Sequence, residues 1–117
     1  MKFYKLIIPK GFKGSAAEMS GGCGPEKSWF DLVPDHFIGV DISTPCKIHD
    51  FCYTIGGTEE DKIKADKMFH TNLVMTVKNG DSLIFRETNL DLADLYYRMV
   101  RDHGHNYFNY SKSEKIT

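Results

Sequence analysis

Cys46, His49, Asp50 and Tyr53 sit close together in the segment Thr44-Pro45-Cys46-Lys47-Ile48-His49-Asp50-Phe51-Cys52-Tyr53. On an α-helix, positions i, i+3, i+4 and i+7 share one face. A thiol, an imidazole, a carboxylate and a phenol therefore form a single stripe on a surface that would usually be apolar. A His-Asp step alone says little, but cysteines three residues before and three after His49 make the coincidence a rare one. Imidazole is the side chain suited to taking a proton near neutral pH. A carboxylate on one ring nitrogen fixes the tautomer and raises the basicity of the other. Asp66 is the carboxylate available for that task. It interrupts an apolar helical face made by Ile63, Phe69, Leu73 and Val77, where a charge needs a partner. His49 and Tyr53 are the simplest partners. Asp50 points toward a Gly-rich loop upstream, and a carboxylate beside loop carbonyls makes an all-oxygen site suited to Ca²⁺.

The elements that must position these groups follow from caps and periodicity. Thr44-Pro45 predicts a helix start, with Thr as N-cap and Pro at the first helical position. The helix should run to about Ile55 and stop at Gly56-Gly57 in a left-handed cap. Thr58 opens a second helix whose Glu59, Glu60 and Asp61 face its dipole favourably. Asn79-Gly80 ends it. The short connection makes the two helices antiparallel neighbours. A third pattern, Leu92, Leu95, Tyr96 and Met99, stops near Gly104. Upstream, residues 3–8 read as a short strand or extended arm and residues 9–28 as loop. Residues 29–42 read as irregular, partly buried chain. The tail from about residue 111 should fray.

Composition bounds the rest. The 117 residues make one domain, with 41% hydrophobic and 26% charged residues. A net charge of −1 offers no electrostatic footprint for nucleic acid or for anionic membranes. No apolar run approaches the ~20 residues of a membrane span. Leu6-Ile7-Ile8 before Pro9 is too short for a signal-peptide core, so the chain reads as soluble and made in the cytoplasm. Three cysteines are too few for a disulfide scaffold, and their odd number leaves at least one unpaired. His103 and His105, near a helix end, read as solvated.

The pattern Cys46-x-x-His49-Asp50-x-Cys52-Tyr53 resembles the catalytic-helix signature of the secreted phospholipase A2 superfamily, and the resemblance covers roughly residues 20–78. It implies a mainly α fold over residues 1–117. Its parts would be two antiparallel catalytic helices, a third helix, a Gly-rich calcium loop and a short N-terminal strand. It also implies Ca²⁺-dependent hydrolysis of the sn-2 ester of phospholipids at a lipid interface. His49 would be the general base, Asp50 the side-chain Ca²⁺ ligand, and Tyr53 and Asp66 the groups that hold His49. Gly22-Cys23-Gly24-Pro25-Glu26 matches the family's calcium loop. Its register makes the carbonyls of Gly22, Gly24 and Glu26 calcium ligands and lets the Gly24 amide face the oxyanion. The family pairing implies a Cys23–Cys46 disulfide. Cys52 would stay free because Ala65 stands where its usual partner would be. The His49-to-Asp66 spacing of 17 residues omits the β-hairpin of larger members. That and the Gly-Pro loop look more like the compact viral-capsid and microbial branches, which makes delivery in a phage or virus particle, or secretion by another route, an expectation of the resemblance.

Trp29, Phe30, Phe37 and Ile38 read first as core and second as an apolar rim for lipid chains. Two other functions compete. One is a phospholipase-like binding or virion domain without strong activity. The other is a structural zinc module built on Cys23, Cys46, His49 and Cys52, a Cys₃His set. Against it, positions 46 and 52 lie ~120° apart around a helix.

Overall fold

The computed structural model describes residues 4–14, 37–80 and 83–110. Among them the protein is mainly helical: α1 (Ser43–Ile55), α2 (Glu59–Asn79) and α3 (Arg86–His103), followed by a 3₁₀ turn at Gly104–Asn106. None of the helices is long and apolar enough to cross a membrane.

Helix α1 begins two residues earlier than expected, with Ile42 rather than Thr44 at the cap and no side-chain bond there. Asp41 supplies the local order, accepting hydrogen bonds from the Ser43 amide at 2.9 Å and the Ser43 hydroxyl at 2.5 Å. Pro45 thus falls within the first turn, where its missing N–H would have had no intrahelical partner. The helix ends as expected at Gly56 and Gly57, whose φ values of 71° and 138° only glycine adopts readily. A side chain at Gly56 would also collide with the Asn109 carbonyl. The Gly57 amide donates to that carbonyl at 2.9 Å, and the Asn109 amide donates to the Tyr53 carbonyl at 3.1 Å. Residues 107–110 are thereby folded back onto the α1–α2 connection.

Thr58 caps α2 through a reciprocal pair with Asp61: its amide donates to the Asp61 carboxylate at 3.0 Å, and its hydroxyl oxygen accepts from the Asp61 amide at 3.3 Å. The buried face of α2 is Lys62, Ala65, Asp66, Phe69, Asn72, Leu73 and Val77. Ile63, expected on that face, is only half-buried, and Lys62 takes the interior position instead. The principal core joins Cys46 of α1, Phe69 and Leu73 of α2, and Ala93, Tyr96 and Val100 of α3. Leu95 and Met99 border it as half-buried neighbours, while Leu92 is buried as expected. Phe37 is half-buried against the core, its ring edge-on to Tyr96 at 5.1 Å. Ile38 is 40% exposed. A smaller cluster joins Tyr53, Ala65 and Phe108.

The expected N-terminal strand is absent among the described residues. Residues 4–8 run without regular structure, because their backbone bonds are made to α2 side chains rather than to another strand. The Tyr4 amide donates to Asn79 Oδ1 and the Asn79 amide group donates back to the Tyr4 carbonyl, both at 2.7 Å. Asn72 does the same with Ile7, at 2.7 and 3.0 Å. The match is metric: two helical turns and three extended residues both span roughly 10 Å. Asn89 on α3 clamps Ile38 in the same way, both bonds at 2.9 Å. Asn72 and Asn89 are fully buried. Replacing Asn72 by Leu removes both bonds and leaves the Ile7 amide and carbonyl without these partners. The expected cost is ~1–3 kcal/mol, read by urea denaturation, together with faster proteolytic cleavage within residues 4–14.

Candidate functional site

The α1 stripe faces α2, and its contacts run backward along that helix. Cys46 shares the core with Phe69 and Leu73, His49 stacks on Phe69, and Tyr53 reaches Asp66 and Lys62. The centre of this arrangement is Asp66, which is wholly buried. His49 Nε2 lies 2.9 Å from Asp66 Oδ1, and the Tyr53 hydroxyl donates to the same oxygen at 2.6 Å. The two partners expected for Asp66 are therefore both in place.

Two others were not expected. Lys62 Nζ donates to Asp66 Oδ2 at 2.8 Å and to the Val100 carbonyl at 2.9 Å. Arg101 Nη1 donates to Oδ2 at 3.1 Å. Lys62 is 0% exposed, whereas the Arg101 side chain keeps 28% of its surface in solvent. Lys62 sits one helical turn from Asp66, a spacing that carried the signal. In a helix with a charged first turn, however, a lysine reads as solvated. Arg101 had no such sequence mark.

This environment sets the protonation states. Burial alone would raise the Asp66 carboxyl, but the bonds from His49, Lys62 and Tyr53 outweigh it and hold the pKa at about 2. Burial lowers the His49 pKa and outweighs the opposing pull of Asp66, so the imidazole is neutral at neutral pH. Burial and the bond to Asp66 push the Tyr53 phenol up, so it remains a donor. With Nε2 facing an ionised carboxylate, the ring proton belongs on Nε2 and the Nδ1 lone pair is the basic position. The ring is fixed by stacking on Phe69, with centroids 4.3 Å apart and planes at 25°. Gly104 lies against the Tyr53 hydroxyl so closely that a Cβ there would collide with it.

Asp50 follows His49 on α1 and is half-buried. Burial raises its pKa. It is the one member of the expected calcium set inside the described residues. Gly22, Gly24 and Glu26 lie outside them, as do Cys23, Trp29 and Phe30. Among the described residues no three His, Cys, Asp or Glu side chains converge as a metal site. For the zinc set this has a physical reason: Cys46 packs in the principal core, Cys52 borders the smaller one, and His49 Nε2 faces Asp66. Cys52 is a free thiol, as expected, with its pKa raised to about 11 by burial. Cys46 is fully buried, and the loop end of its expected bridge, Cys23, is outside the described residues. His103 and His105 are exposed, as expected, although His105 Nε2 approaches Glu59 at 3.3 Å.

Compared with known proteins, the chain matches no family model, no curated protein and no solved structure.

Two stability outcomes follow from the geometry. Asp66→Asn leaves Lys62 as a buried cation beside a neutral amide and should cost ~3–5 kcal/mol. Adding Lys62→Met should recover part of that loss in denaturant titrations. Acid should weaken the fold in two steps. Below about pH 6.5 the unfolded chain takes up a proton that buried His49 refuses, so stability falls as pH falls. Asp66, depressed to about 2, adds stability above its unfolded value near 4 and loses it between about 4 and 2. Thermal melts across pH 8 to 2 check this, and His49→Gln should flatten the first step.

Proposed function

We propose that the protein is a Ca²⁺-dependent phospholipase A2-type hydrolase that cleaves the sn-2 ester of phospholipids at a lipid interface. The observation that carries this reading is the pairing of His49 Nε2 with ionised Asp66 at 2.9 Å, which leaves Nδ1 as the base one residue before a half-buried Asp50.

In this reading α1 and α2 are the antiparallel catalytic pair. His49 Nδ1 takes a proton from a water molecule as its oxygen attacks the ester carbonyl. Asp66 stabilises the imidazolium that forms, and Tyr53 holds Asp66 in place. The proton then passes from His49 to the departing alkoxide, giving a lysophospholipid and a fatty acid. Asp50 and the carbonyls of Gly22, Gly24 and Glu26 would hold Ca²⁺, a fit favoured by a carboxylate whose burial calls for a cation. The ion would neutralise charge developing on the ester oxygen and bind the phosphate. The Gly24 amide would donate to the same oxygen. A Cys23–Cys46 bridge would tie the loop to α1. The free Cys52 supports that pairing by leaving Cys23 and Cys46 as the remaining pair.

The test is fatty-acid release from phosphatidylcholine vesicles in the presence of Ca²⁺ or EDTA. Release should stop in EDTA, and His49→Gln should reduce the rate by ~10²–10⁴-fold. Release that survives EDTA, or that His49→Gln leaves intact, overturns the proposal.

A further inference from the structure

The Asp66 carboxylate is divided between two tasks. Oδ1 takes His49 and Tyr53, both from α1, and Oδ2 takes Lys62 from α2 and Arg101 from α3. An ionised carboxylate has about four acceptor positions, and here each oxygen has two donors. The terminal torsion of an aspartate is soft and nearly two-fold, so an unrestrained Asp66 would offer His49 either oxygen at a range of angles. Donors on both oxygens remove that freedom. Lys62 is itself anchored by the Val100 carbonyl, the residue before Arg101. Helix α3 thereby reaches the pair through a bond to the ammonium and a bond to the carboxylate.

We propose that Lys62 and Arg101 are positioning residues, which lock the rotation of Asp66 so that Oδ1 alone is presented to His49. The assignment rests on the hydrolase reading of His49 and extends it to α3, which supplies none of the groups assigned to that chemistry. The charged and titratable neighbours of the pair are Asp50 and Tyr53 on α1, Lys62 on α2, Arg101 on α3 and Tyr110 of the returning segment. Arg101 is the better probe of the two. Its side chain is partly in solvent, so its removal leaves no buried cavity of the kind that removal of Lys62 would leave.

The experiment uses the full chain and the variants Arg101→Gln and Arg101→Lys, with Lys62→Met as a second route to the same oxygen. The first readout is the downfield proton resonance of the His49 Nε2–H, assigned by its loss in His49→Gln. The second is steady-state hydrolysis of phosphatidylcholine vesicles with Ca²⁺. Arg101→Gln should shift or broaden the His49 resonance and lower kcat by roughly 10–100-fold with KM unchanged. Arg101→Lys should restore most of both. A resonance identical in wild type and Arg101→Gln overturns the proposal. So does a variant that raises KM with kcat intact, which would make Arg101 a substrate contact. If the wild type hydrolyses no lipid but its His49 resonance still moves in Arg101→Gln, the hydrolase reading falls and the positioning role stands.

Discussion

A single buried carboxylate organises this protein. Asp66 receives donors from all three described helices, and it can do so only if α1, α2 and α3 meet at one level. An aspartate without partners in that position would be prohibitive. With them it becomes a cross-brace whose geometry is more specific than apolar packing alone, because each donor must arrive at a set distance and direction. The aromatic groups around it follow from the same constraint. Phe69 supports the imidazole from below, and Phe108 meets the Tyr53 ring edge-on at 5.2 Å. The returning segment at residues 107–110 closes the end of the pair that the α1–α2 turn would otherwise leave open.

The local chemistry of the sequence made much of this readable. Gly56-Gly57, Thr58 with Asp61, and Asn79-Gly80 mark their helix ends through interactions within a few residues. Position alone was enough to read them. Asp66 was visible as a conflict, a charge on an apolar face, and the conflict named its own resolution in His49 and Tyr53. Lys62 was hidden by the same rule that exposed Asp66. A lysine among Glu59, Glu60 and Asp61 fits a solvated first turn, and nothing local says that its ammonium finds a carbonyl on α3. Arg101 and the three asparagines were hidden for a related reason. An amide that pairs with the backbone of a distant segment leaves no periodic trace, so residues 3–8 read as either a short strand or an extended arm, and the described residues 4–8 are the arm, bonded to side chains.

The two kinds of polar burial divide the labour. Charged groups sit at the level of His49, where Lys62 and Arg101 pair with Asp66. Neutral amides sit farther along α2 and on α3, where they hold extended chain without introducing a field. An amide presents an NH₂ donor group and a carbonyl acceptor side by side in one plane, which makes it the side chain able to imitate a neighbouring strand. Among the described residues the fold therefore attaches irregular segments to helices without a sheet.

Those amide clamps differ in chemical durability. Asn79 precedes Gly80, and a following glycine leaves the peptide nitrogen least hindered for attack on the asparagine side chain, the route by which an amide ages into an acid. Conversion to aspartate would replace the donor aimed at the Tyr4 carbonyl with a second acceptor, and the clamp would become a repulsion. The Gly80 N–H is engaged with the Val77 carbonyl at 3.1 Å, which holds that nitrogen away from the reaction while the helix end is intact. The last turn of α2 thus acts as a preservative for one of the two clamps that secure the N-terminal arm. Fraying of that turn would set the rate at which the Tyr4 end of the arm comes loose with time.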